Sequence, residues 1–329
     1  MNMSETSSPN IAVVTVTYGD RSVYFNRVLN KLNTIELIKY IVLVDNLVKD
    51  QSIDDLEKLK KTIGKKLIVL RQGFNSGSAK GFKDGIEKAN QLDIDFIWLL
   101  DDDNLPQDDS LDNLLLSTKT LGAIKEKKYA LLSYRPDREI YKKAIDERKP
   151  SAMLGPVNSF LGFHVVSKIK NRLNKKSRQP ENNQNIGLVT VAPYGGLFFH
   201  KSLINDIGLP NEDYYLYGDD FDYSYRITKD CGGIYLVVDS VVNDLEQSFH
   251  LKKENEKVLS NRLIKTNSKD RIFYSVRNGI VFEQNFVSNR LLYLINAILH
   301  LSLTFIILLL NPKHLWKYKY YVKGIKASK

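Results

Sequence analysis

The sequence predicts an α/β protein, built on a mixed, mostly parallel sheet with helices on both faces and extended by a helical C-terminal segment. Three observations predict it. Short β-branched runs alternate with amphipathic stretches through the first hundred residues. Polar and acidic residues gather at the ends of those runs. Residues 291–310 form one apolar stretch without Asp, Glu, Lys or Arg.

The elements follow in order. IAVVTVTY (11–18) is a strand, and an amphipathic segment covers 24–32. YIVLVDN (40–46), KLIVLRQ (66–72) and DFIWLL (95–100) are further strands, separated by helices over 53–63 and 78–91. YALLSY (129–134) adds another strand. Residues 136–187 read as irregular, with RLNKKSRQPENNQN (172–185) as a mobile loop. LVTVAPYGGLFFH returns to strand and turn, a helix starts near Asp219, GGIYLVVDSVV gives more strand, and the pattern is helical from about residue 252. Such alternation implies right-handed crossovers and a Rossmann-like parallel half. The chain divides into a flexible terminus (1–10), a main domain (11–251) and a C-terminal helical region (252–329).

Composition narrows the class. The 329 residues are 43% hydrophobic, with 18 Tyr and 14 Phe, which excludes a chain dominated by disorder. The single Cys231 excludes an internal disulfide framework and fits a reducing compartment. MNMSETSSPN lacks the basic and apolar parts of a signal peptide, so this end is expected in the cytosol. The formal charge of +10 is concentrated in residues 167–178 and in the tail after Asn311, each with six basic residues and no acid. That distribution argues for an anionic membrane surface and against nucleic acid. Residues 291–310 are long enough to cross a bilayer. Yet Asn296, His300 and Thr304 recur every four residues on one helix face, which suits an in-plane helix or one packed on a partner. The sequence leaves crossing and lying in the membrane open.

In parallel sheets ligands bind beyond the carboxyl ends of the strands. Here those ends carry Thr15, Thr17 and Tyr18, then Asp45 and Asn46, then Arg71, then Asp101, Asp102 and Asp103, a nucleotide-sized rim. QGFNSGSAKG (72–81) has neither the dinucleotide glycine spacing nor the G-K-[ST] of a phosphate loop, so a nicotinamide enzyme and a nucleotide triphosphatase are unsupported. Its glycines either admit a nucleotide to the backbone or simply turn the chain. Three aspartates behind the buried run FIWLL repel one another unless a cation joins them, and hard oxygen ligands suit Mg²⁺ or Mn²⁺. Strand alternation puts Asp101 and Asp103 on one face, with Asp102 turned aside. In YLYGDDFDYSYRI, Asp219, Asp220 and Asp222 sit at a helix start, where one acid would satisfy the dipole. A carboxylate there, beside a metal and nucleotide, is a candidate general base. His250, after the late strand, is the candidate third metal ligand.

Together VVTVTYGD, VDN, RQGFNSGSAKG, WLLDDDN, YGGLFF, YLYGDDFDYSYR and YSVRN resemble an inverting family 2 glycosyltransferase over residues 11–278. The resemblance is closest to the galactofuranosyl- and rhamnosyltransferases of bacterial surface polysaccharides. It implies a GT-A fold in residues 11–251, a nucleotide-sugar donor (a UDP-sugar ahead of a dTDP-sugar) and Mn²⁺ or Mg²⁺. It implies Asp101, Asp103 and His250 as metal ligands, and Asp220 as the base with Asp219 holding the acceptor. It assigns the donor to Thr15, Thr17, Tyr18, Asp45, Arg71, Asn75, Asp101 and Asp102. The expected reaction moves galactofuranose first, or rhamnose or another hexose, to a hydroxyl of a lipid-linked glycan at the cytosolic face of the inner membrane. Residues 134–190 depart from the pattern, which leaves the acceptor unassigned. Self-association and partner synthesis enzymes stay open. The rivals are a polyprenyl-phosphate glycosyltransferase and an inactive scaffold subunit.

Overall fold

A computed structural model describes residues 8–49, 51–122, 128–173, 184–246 and 266–329. The N-terminal half alternates as expected: β1 (Ile11–Gly19), α1 (Ser22–Asn33), β2 (Ile38–Val48), α2 (Gln51–Ile63), β3 (Leu67–Arg71), α3 (Gly77–Asn90) and β4 (Phe96–Leu99). Then come the short β5 (Asn104–Pro106), α4 (Ser110–Gly122), β6 (Ala130–Tyr134), α5 (Glu139–Asp146), α6 (Val165–Leu173), β7 (Ile186–Val189) and β8 (Leu197–His200). A four-residue α7 (Ile204–Ile207), α8 (Asp219–Asp230) and β9 (Ile234–Asp244) complete the sheet domain.

The sheet runs β3-β2-β1-β4-β8-β6-β9-β5, with β7 paired to β9. Its β3-β2-β1-β4 part is wholly parallel, and β8 enters antiparallel between β4 and β6. β6 and β9 are again parallel. Period-two alternation sorts β1 between two cores. Ala12 and Val14 join the cluster with Phe82 and Ile86 of α3, Tyr141 of α5 and Tyr223 of α8. Ile11 and Val13 face Phe25 and Leu29 of α1, Leu56 of α2 and Leu114 of α4. The result is a helix–sheet–helix sandwich with strand β1 buried on both faces. α3 lies close on the sheet because it carries Gly81 and Gly85; a Cβ there would come 2.7 Å from Val16 Cγ1 and 2.5 Å from Val14 Cγ1.

Two regions differ from the sequence expectation. SLDNLLLSTKTLG forms α4, whose Leu111, Leu114 and Leu121 make an apolar stripe that the search for strands passed over. The stretch expected to be irregular contains α5 and α6. The loop expected over 172–185 and the boundary near 252 fall largely outside the described residues.

The C-terminal region is α9 (Lys269–Glu283), α10 (Arg290–Leu309) and α11 (Trp316–Ala327). It has its own small core, with Ile272, Val276, Ala297 and Tyr321 around Phe160 from the loop before α6. At Gly324 a Cβ would come within 2.9 Å of the Phe273 carbonyl oxygen, so glycine lets α11 touch α9 backbone to side chain.

Candidate functional site

The rim expected from the sequence is assembled, with unequal roles. Asp45 and Arg71 are register partners at the ends of β2 and β3, and Arg71 Nε lies 3.7 Å from Asp45 Oδ2. Asp45 Oδ1 also accepts from the Val48 amide at 2.7 Å. Asn46 is buried and works on the next loop: its Oδ1 accepts from the Ser76 amide (2.7 Å) and hydroxyl (2.9 Å), and its Nδ2 donates to Asn75 Oδ1 and the Gly77 carbonyl. Asn75 is thereby held exposed at the loop tip. Gly77, at φ +83°, has room for no side chain, since a Cβ would sit 2.1 Å from the Tyr215 carbonyl oxygen. Tyr18 is exposed on the rim, whereas Thr15 and Thr17 are fully buried in β1.

The three aspartates after β4 divide. Asp102, in the turn after β4 that the Asn104 amide closes onto the Asp101 carbonyl at 3.0 Å, points inward and is locked. Arg21 Nε donates at 2.8 Å to Oδ2 and 3.0 Å to Oδ1, Arg21 Nη2 adds 2.9 Å to Oδ1, and the Thr17 hydroxyl donates at 2.6 Å. Burial works against the Arg21 charge, yet Asp102 and Glu246 together raise its pKa above the usual arginine value. Asp102 and Thr17 therefore support the rim from beneath and offer no free atoms to a donor. Asp101 and Asp103 are less tightly held: Asp103 Oδ2 lies 3.6 Å from Arg21 Nη2, and its Oδ1 accepts from Asn104 Nδ2 at 3.3 Å. Asp101 is the more open, and its Oδ2 lies 3.6 Å from Arg135 Nη1. Asp103 is pushed up to about 7, first by burial and then by the charges of Asp101 and Asp102.

Sequence reasoning missed three neighbours. Asp244, at the end of β9, is almost fully buried between Arg135 and Arg138, and accepts from Asn104 Nδ2 at 3.0 Å. Arg135 is 2% exposed, and among the described residues its Nε and Nη1 have no hydrogen-bond partner. Burial opposes its charge, while Asp101 and Asp244 hold its pKa high. The two arginines of SYRPDRE gave no signal that the end of β6 would bring them beside the acids that follow β4. Gly195 explains PYGG: a Cβ there would meet Asn104 Oδ1 at 2.2 Å and both Asp101 Oδ2 and Arg135 Nη1 at 2.7 Å.

The second acidic site starts α8. Asp219 is buried and accepts from the Ser78 hydroxyl at 3.1 Å; burial, then Asp220, pushes it up to about 8. Asp220 stays partly exposed and accepts from the Phe221 amide at 2.9 Å. Burial raises it to about 6, the Phe221 amide pulls down, Asp101 pushes up and Arg138 pulls down, so the two acidic sites share one field. Asp222 faces away and pairs with Arg226 at 3.3 Å, the ordinary use of an acid in a first helical turn. The approach to α8 is bent: Tyr215, Tyr217 and Gly218 all have positive φ. Asn278 of the YSVRN motif holds it, its buried Nδ2 within 2.7–2.8 Å of the Tyr214, Leu216 and Tyr217 carbonyls.

Asp101, Asp103, Asp219 and Asp220 thus come together, and Arg135 and Arg138 do not balance them. Asp103, pushed up beside Asp101 and Asp102, would be relieved by a hard cation held between it and Asp101. Among the described residues no group of three His, Cys, Asp or Glu is placed to hold a metal ion. The third ligand expected from the sequence, His250, lies outside the described residues.

Comparison with known proteins bears on the fold. Residues 12–124, β1 through α4, match the family model described as Glycosyl transferase family 2. No curated protein matches the chain by sequence. The solved structure of GalNAc-T7 with UDP, GalNAc and Mn²⁺ superposes with a TM-score of 0.55 at 15% identity, over 84% of this chain and 48% of that one. The mannosyltransferase PcManGT from Pyrobaculum calidifontis, in complex with GDP-Man and Mn²⁺, superposes with a TM-score of 0.53 at 12% identity, over 98% of this chain and 77% of that one. The chain spans about half the length of the GalNAc-T7 structure. The fold is therefore GT-A.

Proposed function

We propose that the chain is a metal-dependent inverting glycosyltransferase that moves a sugar from a nucleotide-sugar to an acceptor hydroxyl. The observation that carries this reading is the convergence of Asp101 and Asp103 with Asp220 on one edge of the sheet. The match of residues 12–124 supports it, as do two relatives of the fold, one solved with UDP and Mn²⁺ and one with GDP-Man and Mn²⁺.

Tyr18, Asp45, Arg71 and Asn75 would bind the nucleotide beyond β1–β3. Asp101 and Asp103 would hold Mn²⁺ or Mg²⁺, with His250 as a further ligand. When bound, the cation neutralises charge on the departing diphosphate. Arg135 and Arg138 border the same place and add positive charge. Asp220, poised at about 6, takes the proton from the acceptor hydroxyl as that oxygen attacks the anomeric carbon. Direct displacement by one oxygen, with one base, inverts the configuration and needs no covalent intermediate. Asp219, held above the usual carboxylate range by burial and by Asp220, lies beside the base on the acceptor side.

On the acceptor side, the face of α8 that bears Phe221 and Tyr225 borders a cavity of about 580 Å³, closed by residues 151–162 and by Phe282 and Glu283 of α9. Aromatic faces with a carboxylate at the edge suit a glycan. Galactofuranose, from a UDP-sugar, is the first donor to test, on the ground of the DDD motif with a late histidine.

The experiment is calorimetric titration of the full chain with UDP-galactofuranose, UDP-galactose, UDP-N-acetylglucosamine, dTDP-rhamnose and GDP-mannose, first with Mn²⁺ and then with chelator. Binding of one donor that is lost on chelation is expected. Absence of binding by any of them, in a folded sample with Mn²⁺, would overturn the reading and leave the acid clusters structural.

A further inference from the structure

The apolar helix α10 is built inside out for a membrane span. Asn296 and Thr304 face the protein, the first fully buried and the second 3% exposed, while Ser302 is the one uncharged polar residue on the outer face. Asn296 Oδ1 accepts from the Val165 amide at 2.9 Å, and its Nδ2 donates to the Asn158 carbonyl at 2.9 Å. His300 packs with ring centroids 5.6 Å from both Phe160 and Phe163. The opposite face carries Leu291, Leu294, Ile295, Ile298, Phe305, Ile306 and Leu309, exposed by 39–68%. These recur at three- and four-residue spacing, so they form one stripe along a helix about 30 Å long.

The docking decides how such a helix meets a bilayer. Asn296 and His300 lie at the middle of α10, and what they touch would sit at mid-bilayer if the helix crossed. That includes the peptide groups of Asn158 and Val165 and, beside Phe163, the Lys168 ammonium, 4.4 Å from the ring centroid. An ammonium and an irregular loop at that depth are costly. Lying flat, α10 keeps every one of those contacts and buries only its outer stripe.

Charge indicates the occupant of that stripe. Residues 290–329 contain one Arg, six Lys and no acid. Arg290 and Lys313 stand exposed at the two ends of α10, and Lys319, Lys323 and Lys326 are exposed along α11, opposite its buried Lys317, Tyr321 and Gly324. A second copy of the chain would bring this basic surround against itself, whereas an anionic leaflet complements it.

We propose that α10 is a monotopic docking helix: it lies in the plane of an anionic bilayer with the stripe Leu291 to Leu309 inserted, and it does not cross. The inference is independent of the glycosyltransferase reading, since it uses none of the acidic site.

The test is co-sedimentation of the full chain with vesicles of phosphatidylcholine alone or with phosphatidylglycerol. Binding to the phosphatidylglycerol vesicles, weakened by salt, is expected. Ile298→Glu with Ile306→Glu should lower it by about tenfold or more while thermal unfolding stays unchanged. Lys319→Glu or Lys323→Glu should each weaken it by about fivefold. Wild-type binding by the folded double variant would overturn the proposal. So would a dimer in sedimentation velocity that the same pair abolishes, which would make the stripe a self-association face. Release of the membrane-bound chain by alkaline carbonate supports docking, and retention would establish a span and overturn it.

Discussion

The two acidic clusters use the same side chain in opposite ways. At the end of β4, Asp102 is saturated with donors from Arg21 and Thr17 and holds β1 and β4 in register, so that its neighbours are displayed. At the start of α8, Asp219 and Asp220 form no ion pair; burial raises both, as it raises Asp102, and only the more distant Arg138 pulls Asp220 down. A compensated acid builds; an uncompensated acid is available for chemistry, at a cost in stability.

The sharpest way to separate them is Asp220→Asn. If it is the base, the variant keeps donor binding and loses about 10²–10⁴-fold in kcat, read with saturating donor. Normal turnover would remove the base assignment. Breaking the other cluster should act on the fold: Arg21→Met leaves Asp102 buried and unpaired, with an expected loss of about 3–5 kcal/mol in urea unfolding. Asn278→Ala tests the support of α8. It strips the Tyr214, Leu216 and Tyr217 carbonyls of their donor, for about 1–3 kcal/mol and a fall in kcat with little change in donor affinity. The smallest effect is in pH. Asp219 and Asp220 have folded values above the unfolded one, so their stabilising contribution is complete below about 4 and is lost as pH rises through 6 to 8. Asp219→Asn should therefore raise Tm relative to the parent at pH 8 and leave it nearly unchanged below about pH 4. In the parent, the rate should rise with pH through about 6 as Asp220 ionises.

Much of this was legible beforehand. The strands β1 to β4 were readable because continuous β-branched runs have no other stable use, and the rim residues follow from strand ends. α4 was missed because its leucines lie next to serines and threonines and resemble a loop. Arg21 was missed because its partner, Asp102, is 81 residues away, and nothing local in YGDRS announces it. Arg135 and Asp244 are still more remote from each other, 109 residues apart.

The sequence by itself determined the α/β alternation, the acid clusters, the basic tail and an apolar helix with one polar edge, because each is a local pattern of side chains. Tertiary structure alone decided which acid is neutralised, which stays free to titrate, and which way α10 turns its polar edge. Those outcomes depend on charges and backbone groups brought together from distant segments, and on the free energy of burying them, which no local spacing encodes.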